Sequence, residues 1–296
     1  MKFVNSVLLR RENCGIQKFS LRFSGYYCTS IHVNEWILSA VDHNVRELSI
    51  SFYASKTFEL PSFIFTCRSL TALTLYLNCS TLNVPSSIHL PFLKTLHLTA
   101  VAFSDDSLPL FSNCPILEND YLTFNDVVHD FVIRVSALSL LTLEYKDYRV
   151  QNICLEHMSS LKNAFIDLNF DWNGKERICR HRVGILLRGL SNVEFLKISS
   201  AIIKHLFDTK ESLETQNSEC LVDNLKIINI RSFTGNEQEI IFVKYLLMRA
   251  CALERIIIVC LKQFSINLEL QTEIGDGILL HPRGSPDSEV TFVTMR

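Results

Sequence analysis

The sequence predicts an α/β solenoid, in which short parallel strands form one face and helices or extended segments cover the other. Three observations favour it: a spaced apolar motif that recurs along the chain, amphipathic segments between copies, and a composition of 48% hydrophobic and 20% charged residues that suits a large folded core. With 296 residues the chain is long enough for one elongated domain or two compact ones.

The recurring motif is L-x-x-L-x-L, in which Val, Ile, Ala or Phe can replace Leu, and its clearest copy is Leu93-Lys-Thr-Leu-His-Leu98. The copies begin at Ile16, Val45, Leu70, Leu93, Leu117, Leu138, Leu161, Val193, Leu225 and Leu253. The Leu117 copy carries Asp120 where an apolar residue is expected. Successive copies begin 21 to 32 residues apart. Most of these intervals fall within or near the period of about 20–29 residues that is typical of leucine-rich repeats.

This spacing has a physical reason. The x-L-x-L part is a short strand whose alternate side chains point into the core, while the earlier Leu lies in the turn that leads into the strand. Consecutive parallel strands need a crossover segment, which returns over the outer face. We therefore predict a leucine-rich-repeat solenoid with a curved parallel sheet on its concave face and helices on its convex face.

Two connecting segments have helical periodicity. Between Arg180 and Leu190, one stripe contains Val183, Leu186, Leu187 and Leu190. The second helix is predicted from Asn236 to Cys251, where Asn236 can cap the helix and Glu239 occupies the capping-box position. Its predicted buried stripe contains Ile240, Val243, Leu247 and Ala250. Three copies carry an Asn eight residues after their first apolar position, namely Asn78, Asn125 and Asn169. Such an Asn can turn inward to bond adjacent turns, or it can simply favour a turn.

The order of several segments resembles plant F-box/FBD/LRR-repeat proteins. The segments that resemble the repeat part are 69–77, 90–98 and 113–118, together with Trp36-Ile37 and 44–48. Those that resemble the FBD module are the helix 239–250, the strand 253–258, and Pro282-Arg-Gly-Ser285 before 289–292. The resemblance implies leucine-rich repeats over 1–232 and an FBD-like module over 233–296 that continues the solenoid.

The resemblance also implies a function. In that family an F-box precedes the repeats and binds the Skp-type adaptor of an SCF ubiquitin ligase. No segment of this chain reads as an F-box, and Met1 falls where the repeats begin. The chain is therefore expected to be a substrate-binding arm, and a Skp-type adaptor is an expected partner only if an F-box exists upstream.

The sequence lacks the motifs of common enzyme classes, including the P-loop, G-x-S-x-G and H-E-x-x-H. Cys154-x-x-His157 with Cys179-x-His181 could hold a metal ion, but the second pair has the wrong spacing for a zinc knuckle. We therefore predict no enzyme, catalytic residue, metal or cofactor. The carboxylates at positions 105, 106, 118 and 120 are expected to be solvated, and Gly275-Asp-Gly277 is expected to be a turn.

The predicted strands also carry side chains that face away from the core. The middle position of each copy places one column across the sheet: Ser20, Ser49, Thr74, His97, Tyr121, Thr142, Phe165, Lys197, Asn229 and Ile257. Flanking columns add Tyr76, Glu144, Arg231 and Arg255. Aromatic and Arg side chains are favoured anchors at protein interfaces. We predict a partner-binding surface made of Tyr76, His97, Tyr121, Phe165, Lys197 and Arg231; the alternative is that these side chains only pack against one another.

These observations predict a protein-interaction scaffold whose partner is a protein substrate. A net charge of -2 without a basic stripe argues against nucleic acid, and no apolar run reaches the length of a membrane-spanning helix. Ten cysteines without a C-x-x-C pair suit free thiols in a reducing compartment, so a cytoplasmic and/or nuclear location is expected. The alternatives are a small-molecule sensor that uses the concave face, or a truncated non-functional paralogue.

Overall fold

A computed structural model describes residues 15–24, 30–53, 60–85, 87–103, 109–123, 131–148, 150–168, 176–206, 223–262 and 268–294. The chain divides into two compact units, Met1–Leu140 and Leu141–Arg296. The family-based boundary between residues 232 and 233 concerns sequence modules and stays a prediction. Of the helices in the described ranges, none is long and apolar enough to cross a membrane.

The first unit contains a parallel sheet whose strands follow chain order. These strands are β1 Lys18–Ser24, β2 Glu47–Tyr53, β3 Ala72–Leu82, β4 Thr95–Phe103 and β5 Asn119–Thr123. The unit also contains the strand β6 Ile133–Ser136, the helices α1 Ser30–Asp42 and α2 Pro109–Ser112, and a 3₁₀ helix, Ser62–Thr66. Each crossover thus returns the chain to the same end of the sheet, as the predicted repeat requires.

The second unit repeats this arrangement. Its parallel strands are β7 Thr142–Asp147, β9 Asn163–Leu168, β10 Phe195–Ser199, β11 Ile227–Phe233, β12 Arg255–Cys260 and β13 Glu289–Thr294, paired in that order. The strand β8 is Ile153–Glu156, and the helices are α3 Glu176–Arg188, α4 Ser200–Leu206, α5 Glu237–Arg249 and α6 Leu268–Leu279. The predicted leucine-rich-repeat fold is therefore confirmed, and its parallel strands continue past residue 233.

Burial alternates along the strands as the motif predicts. In β4, for example, Leu96 and Leu98 are buried while His97 between them is half-buried. The turn residue Leu93 that precedes them is also fully buried. Each fully buried Leu or Ile contributes about 1.5–3 kcal/mol to folding, before the entropy of ordering the chain is subtracted. Neighbouring copies provide the apolar surface against which each copy buries its leucines.

Within each unit, backbone hydrogen bonds join consecutive copies at the start of the strand. The Arg46 carbonyl accepts the N–H groups of Thr71 and Ala72 at 2.8 and 3.1 Å. The Lys162 carbonyl accepts those of Glu194 and Phe195 at 2.9 and 3.0 Å. One carbonyl thus holds two donors of the following copy, and this forked contact sets the register with which the next strand begins.

One copy lies in a different register from the prediction. Leu138 and Leu141, which were placed in the core, are 67% and 43% exposed, whereas Leu140, Leu143 and Tyr145 are buried. The copy therefore begins at Leu140, and its last core position holds Tyr145. The prediction failed because the stretch Leu138-Ser-Leu-Leu141 offers two leucine registers and Tyr145 does not match the expected Leu.

Asn78 does not turn into the core. It is exposed and has a φ of 47°, at an irregularity in β3 where the pairing with β4 shifts register between Tyr76 and Ser80. Asn tolerates this left-handed conformation better than most residues do, which explains its presence at the bulge. Asn125 and Asn169 lie outside the described residues.

The two predicted helices are confirmed. The stripe residues Val183, Leu186, Leu187 and Leu190 are all buried. Asn236 caps α5, and its side chain accepts from the Glu239 N–H at 2.9 Å while Glu239 bonds back to the cap. The buried face of α5 is wider than predicted, because Phe242, Tyr245 and Leu246 join it while Ile240 is only half-buried. Gly275 and Gly277 lie inside α6, so the predicted turn is wrong.

Gly284 holds the segment before β13 against the end of α5. Its N–H donates to the Leu247 carbonyl at 2.8 Å, and a Cβ at this position would lie 2.6 Å from the Met248 carbonyl oxygen. Next to it, the Arg283 guanidinium donates to the carbonyls of Ser288 and Leu279. A side chain at position 284 would therefore force the segment before β13 away from the backbone at the end of α5.

We expect Gly284→Ala to lower the free energy of unfolding by about 1–3 kcal/mol, as overpacking of a tight contact does. Gly277→Ala is the matched control, since nothing lies within 4 Å of its added Cβ. In a helix that change should raise stability by roughly 0.5–1 kcal/mol. Urea unfolding of the two variants checks the opposite signs, and equal effects would contradict the close backbone contact.

Candidate functional site

Each unit has an open sheet face, which consists of the side chains between the buried positions of its paired strands. In the first unit its central row is Ser20, Ser49, Thr74, His97 and Tyr121. In the second unit the central row is Glu144, Phe165, Lys197, Asn229, Ile257 and Thr291. Within each unit the predicted positions thus share one row, with one correction: Glu144 occupies the position assigned to Thr142, because of the shifted copy.

The aromatic side chains on the open face of the first unit form two pairs. The rings of His97 and Tyr121 are 5.6 Å apart, centroid to centroid. Tyr76 lies one alternation step further along its strand and stacks on Tyr53 at 4.7 Å. Tyr53 was not among the predicted residues, although alternate residues of a strand face the same side and Tyr53 therefore faces the same side of β2 as Ser49. The three predicted residues therefore contribute to two neighbouring aromatic contacts, not to one cluster.

On the open face of the second unit, the structure brings Phe165, Lys197 and Arg231 together. They line a cavity of about 50 Å³, whose remaining lining residues are Glu144, Ile166, Asp167, Ile198 and Ser199. The Lys197 Nζ lies 5.7 Å from the centroid of the Phe165 ring, within the range of a cation–π contact. Phe165 also contacts Phe195, with ring centroids 5.5 Å apart.

The charges around this cavity are only partly neutralised. Asp167 pairs with Lys146 at 3.9 Å. Within the described ranges, neither Lys197 nor Arg231 has a carboxylate within 4.0 Å. Ser199 has a structural role, because its hydroxyl donates to the Leu168 carbonyl at 3.0 Å and accepts from the Leu168 N–H. The cavity thus presents two cations without a carboxylate partner beside an aromatic ring.

A different set of charges is paired along the starts of the strands. Glu194 lies between Lys162 and Lys226 and accepts a hydrogen bond from each Nζ, the second at 2.7 Å. These bonds lower the pKa of the Glu194 carboxyl to about 2. In the first unit Lys94 pairs with Glu118 at 2.9 Å. All five residues directly follow the first apolar position of a copy. This regularity makes the row of paired charges recognisable in the sequence.

Asp120 is not solvated, contrary to prediction. It faces the core beside Leu96 and is only 2% exposed, and neither carboxylate oxygen has a hydrogen-bond partner of normal geometry among the described residues. Burial raises the pKa of this carboxyl well above its ordinary value, and the nearby Tyr121 backbone N–H offsets that effect only in part. Burial and the Asp120 carboxyl together raise the pKa of the Cys114 thiol to about 12. Asp105 and Asp106 lie outside the described residues.

The cysteines and histidines that could hold a metal do not form a cluster. In the described ranges, no group of three His, Cys, Asp or Glu side chains converges as a metal site would require. The Cys154 thiol is instead 3.7 Å from a Glu156 carboxylate oxygen. Among the cysteines whose side chains the structure describes, none forms a disulfide.

A second cavity, of about 400 Å³, lies away from the open face of the first unit. It is lined by Asn34 from α1, by residues 60–62 at the start of the 3₁₀ helix, and by residues 83–85 after β3. None of the predicted binding residues contributes to it.

Comparison with known proteins identifies the same repeats. The family model described as "FBD-associated F-box protein At5g56370, LRR repeats" matches residues 33–258. The chain is 28% identical over 247 residues to the F-box/FBD/LRR-repeat protein At1g78750 of Arabidopsis thaliana, covering 70% of this chain and 54% of that protein. It is 28% identical over 280 residues to the putative F-box/LRR-repeat protein At3g42770 of the same plant, covering 84% and 50%.

A shorter match of higher identity is the putative FBD-associated F-box protein At5g56700 of Arabidopsis thaliana, which is 43% identical over 105 residues, 34% of this chain and 26% of that protein. The chain spans about half the length of the first two of these relatives. No solved structure matches it. Since the family model spans most of the chain and its matched range contains β2 to β11, this chain belongs to the family of leucine-rich-repeat regions of FBD-associated F-box proteins.

Proposed function

We propose that this chain is a non-enzymatic protein-interaction module whose open sheet faces bind a protein partner. The observation that supports it is the convergence of Phe165, Lys197 and Arg231 on one cavity of the open face. The same strands turn their aliphatic side chains into the core, so stability does not require an aromatic ring and two cations on the outer side. Aromatic and Arg side chains of this kind are frequent anchors in protein interfaces.

The size of the cavity favours a protein over a small molecule. Sites for small organic molecules commonly enclose about 300–1,000 Å³. The cavity beside Phe165 measures about 50 Å³, enough for part of one side chain. A partner must therefore gain its affinity from the wider face, on which this cavity holds a single projecting group.

Within its family, we infer that the module selects substrates for an SCF-type ubiquitin ligase. The relatives are named as F-box proteins, and the chain spans about half of their length. An F-box in the whole protein would bind the Skp-type adaptor, while the repeats would hold the substrate. The described cysteines are thiols that form no disulfide, which suits a cytoplasmic or nuclear location.

Affinity capture from plant extract tests the module. We expect the wild-type chain to retain a reproducible set of proteins, and Tyr121→Ala and Phe165→Ala to retain each of them less, because both rings lie on an open face. Ile178→Ala is the control, since this side chain on α3 is 53% exposed and lies away from the open face. Equal capture by all four proteins would refute the proposed binding face.

The ligase role has a separate test. The protein isolated from plant tissue with an epitope tag at the end of its native gene should co-purify with a Skp-type adaptor. If it is captured without the adaptor while the binding partners persist, the module is a stand-alone binding protein.

A further inference from the structure

We propose that the open face of the second unit recognises a carboxylate side chain, of Asp or Glu, next to a bulky apolar residue in an extended segment of the partner protein. This inference rests on the proposed function and adds the chemistry of the recognised segment. The carboxylate would lie between Lys197 and Arg231, and the apolar side chain would lie against Phe165.

The two cations are placed to share one anion. Lys197 is on β10 and Arg231 on the adjacent strand β11, one alternation step further along. Adjacent strands are about 4.8 Å apart, so both long side chains can reach a common point above the sheet. Neither has a carboxylate partner in the part of the chain that the structure describes. By contrast, Arg255 on the same face already pairs with Glu289 at 3.4 Å.

The surroundings of the two cations are apolar on one side. Across the open face, half-buried apolar side chains continue from Phe165 and Phe195 to Ile227, Ile257 and Val259, and the polar Asn229 lies between Lys197 and Ile257. A carboxylate that binds in these surroundings becomes partly desolvated together with the cations, which strengthens a charge-assisted hydrogen bond. The planar guanidinium of Arg231 matches the two oxygens of a carboxylate.

The nearby acidic residues restrict the anion to a single charge. Glu144 and Asp167 line the same cavity as Lys197, and Lys146 neutralises only Asp167. A phosphate with nearly two negative charges would be repelled by Glu144, and a polyanion such as RNA would meet both acids. A lone carboxylate flanked by apolar side chains fits the observed charges, and this segment of the partner would lie across the strands from Phe165 to Arg231.

Peptide selection on the whole chain tests the inference. The probe is a random peptide library displayed on phage and selected on immobilised protein. We expect enriched sequences to place Asp or Glu within two residues of Phe, Leu, Ile, Met or Trp. A synthetic peptide from this set, capped at both ends, should lose about tenfold or more in affinity for Lys197→Ala and for Arg231→Ala, as loss of one charge-assisted bond implies.

Matched controls separate charge recognition from general damage. Arg255→Ala removes a cation that is already paired, so its affinity should stay within about twofold of wild type. Replacing the acidic residue of the peptide by Asn should weaken binding to wild type about as much as the protein variants do. Lys197→Glu with Arg231→Glu should instead select peptides that carry Lys or Arg, and circular dichroism verifies that each variant is folded.

Four results would overturn the inference. Three of them are selection of peptides without acidic residues, an acidic preference that persists in the Lys197→Ala, Arg231→Ala double variant, and tighter binding of a phosphoserine peptide than of its Asp counterpart. The fourth is that no peptide enriches on the wild-type chain. The proposed function would survive these results if Tyr121→Ala and Phe165→Ala still retain less of each captured protein than the wild-type chain does.

Discussion

Asp120→Leu should stabilise the protein. The carboxyl occupies a core position in register with Leu96, is 2% exposed and has no partner of normal hydrogen-bond geometry among the described residues. A buried polar group left without a hydrogen-bond partner costs about 1–3 kcal/mol, and Leu is the residue that the repeat places at this position. We expect a gain in this range, measured by urea unfolding, and a rise in Tm of several degrees.

The dependence of this gain on pH identifies its cause. Because burial raises the pKa of Asp120 in the folded state, the folded protein keeps a proton that the unfolded chain loses above about pH 4. The contribution of Asp120 is therefore most favourable below pH 4 and becomes unfavourable as the pH rises toward the folded-state pKa. The stability difference between Asp120→Asn and wild type should increase across this window, since Asn does not titrate.

The stability that Glu194 contributes depends on pH in the opposite direction, so its effect must be distinguished from that of Asp120. Its hydrogen bonds to Lys162 and Lys226 lower its pKa to about 2, so the stability that it contributes is present above pH 4.5 and is lost as the pH falls toward 2. Because both proteins in the Asp120→Asn comparison retain Glu194, its effect cancels in the difference. A constant difference from pH 4 to 8 would show that the Asp120 carboxyl is not buried as described.

Glu239→Ala should destabilise the protein more than any of the other substitutions. The Glu239 side chain is fully buried, and one carboxylate oxygen accepts the N–H groups of Thr234, Gly235 and Asn236 at 2.9, 2.7 and 3.2 Å. The other oxygen accepts the Ser200 hydroxyl and lies 3.8 Å from the Lys204 Nζ. Glu239 thus connects α4, the turn before α5 and α5 itself.

Removing this carboxylate takes the acceptor away from the buried Ser200 hydroxyl and from three half-buried backbone N–H groups. Loss of one partner from a buried charged network costs about 3–5 kcal/mol, and we expect Glu239→Ala to lower the unfolding free energy by that amount. Glu239→Gln should lose less, because the amide keeps one acceptor oxygen. Glu237→Gln, at an exposed position in the first turn of α5, is the control and should cost no more than about 1 kcal/mol.

Calorimetry of these variants gives a clear test. If Glu239→Ala and Glu237→Gln shift the Tm equally, the capping box contributes no more than the helix dipole does, and the bridging role of Glu239 is wrong.

Much of the fold could be predicted from the sequence, because the apolar residues of each copy are the ones that the strands bury. Leu93, Leu96 and Leu98 are recognisable from their spacing alone. Leu140 and Tyr145 are not, since the exposed Leu138 and Leu141 match the motif better together with Leu143. Periodicity counts apolar residues, whereas packing selects those whose shape fills the core.

Part of the candidate site could also be predicted, because the aligned copies show which residues lie side by side on adjacent strands. The alignment of copies placed Phe165 and Lys197 in one column, and the observed register confirms it. The proximity of Arg231 depends on how far each side chain reaches across the sheet, which a one-dimensional pattern does not contain. Asp120 was misjudged because carboxylates are seldom buried without a partner, so composition alone argues for exposure.

The forked carbonyl contacts have a consequence for how such proteins change over evolutionary time. The carbonyls of Arg46 and Lys162 each bind the copy that follows in the same unit. Because each copy is tied to its immediate neighbours, a substitution in one of them has effects that fade within a copy or two. The outward side chains can therefore diversify one copy at a time, and a new binding preference can arise without redesign of the whole scaffold.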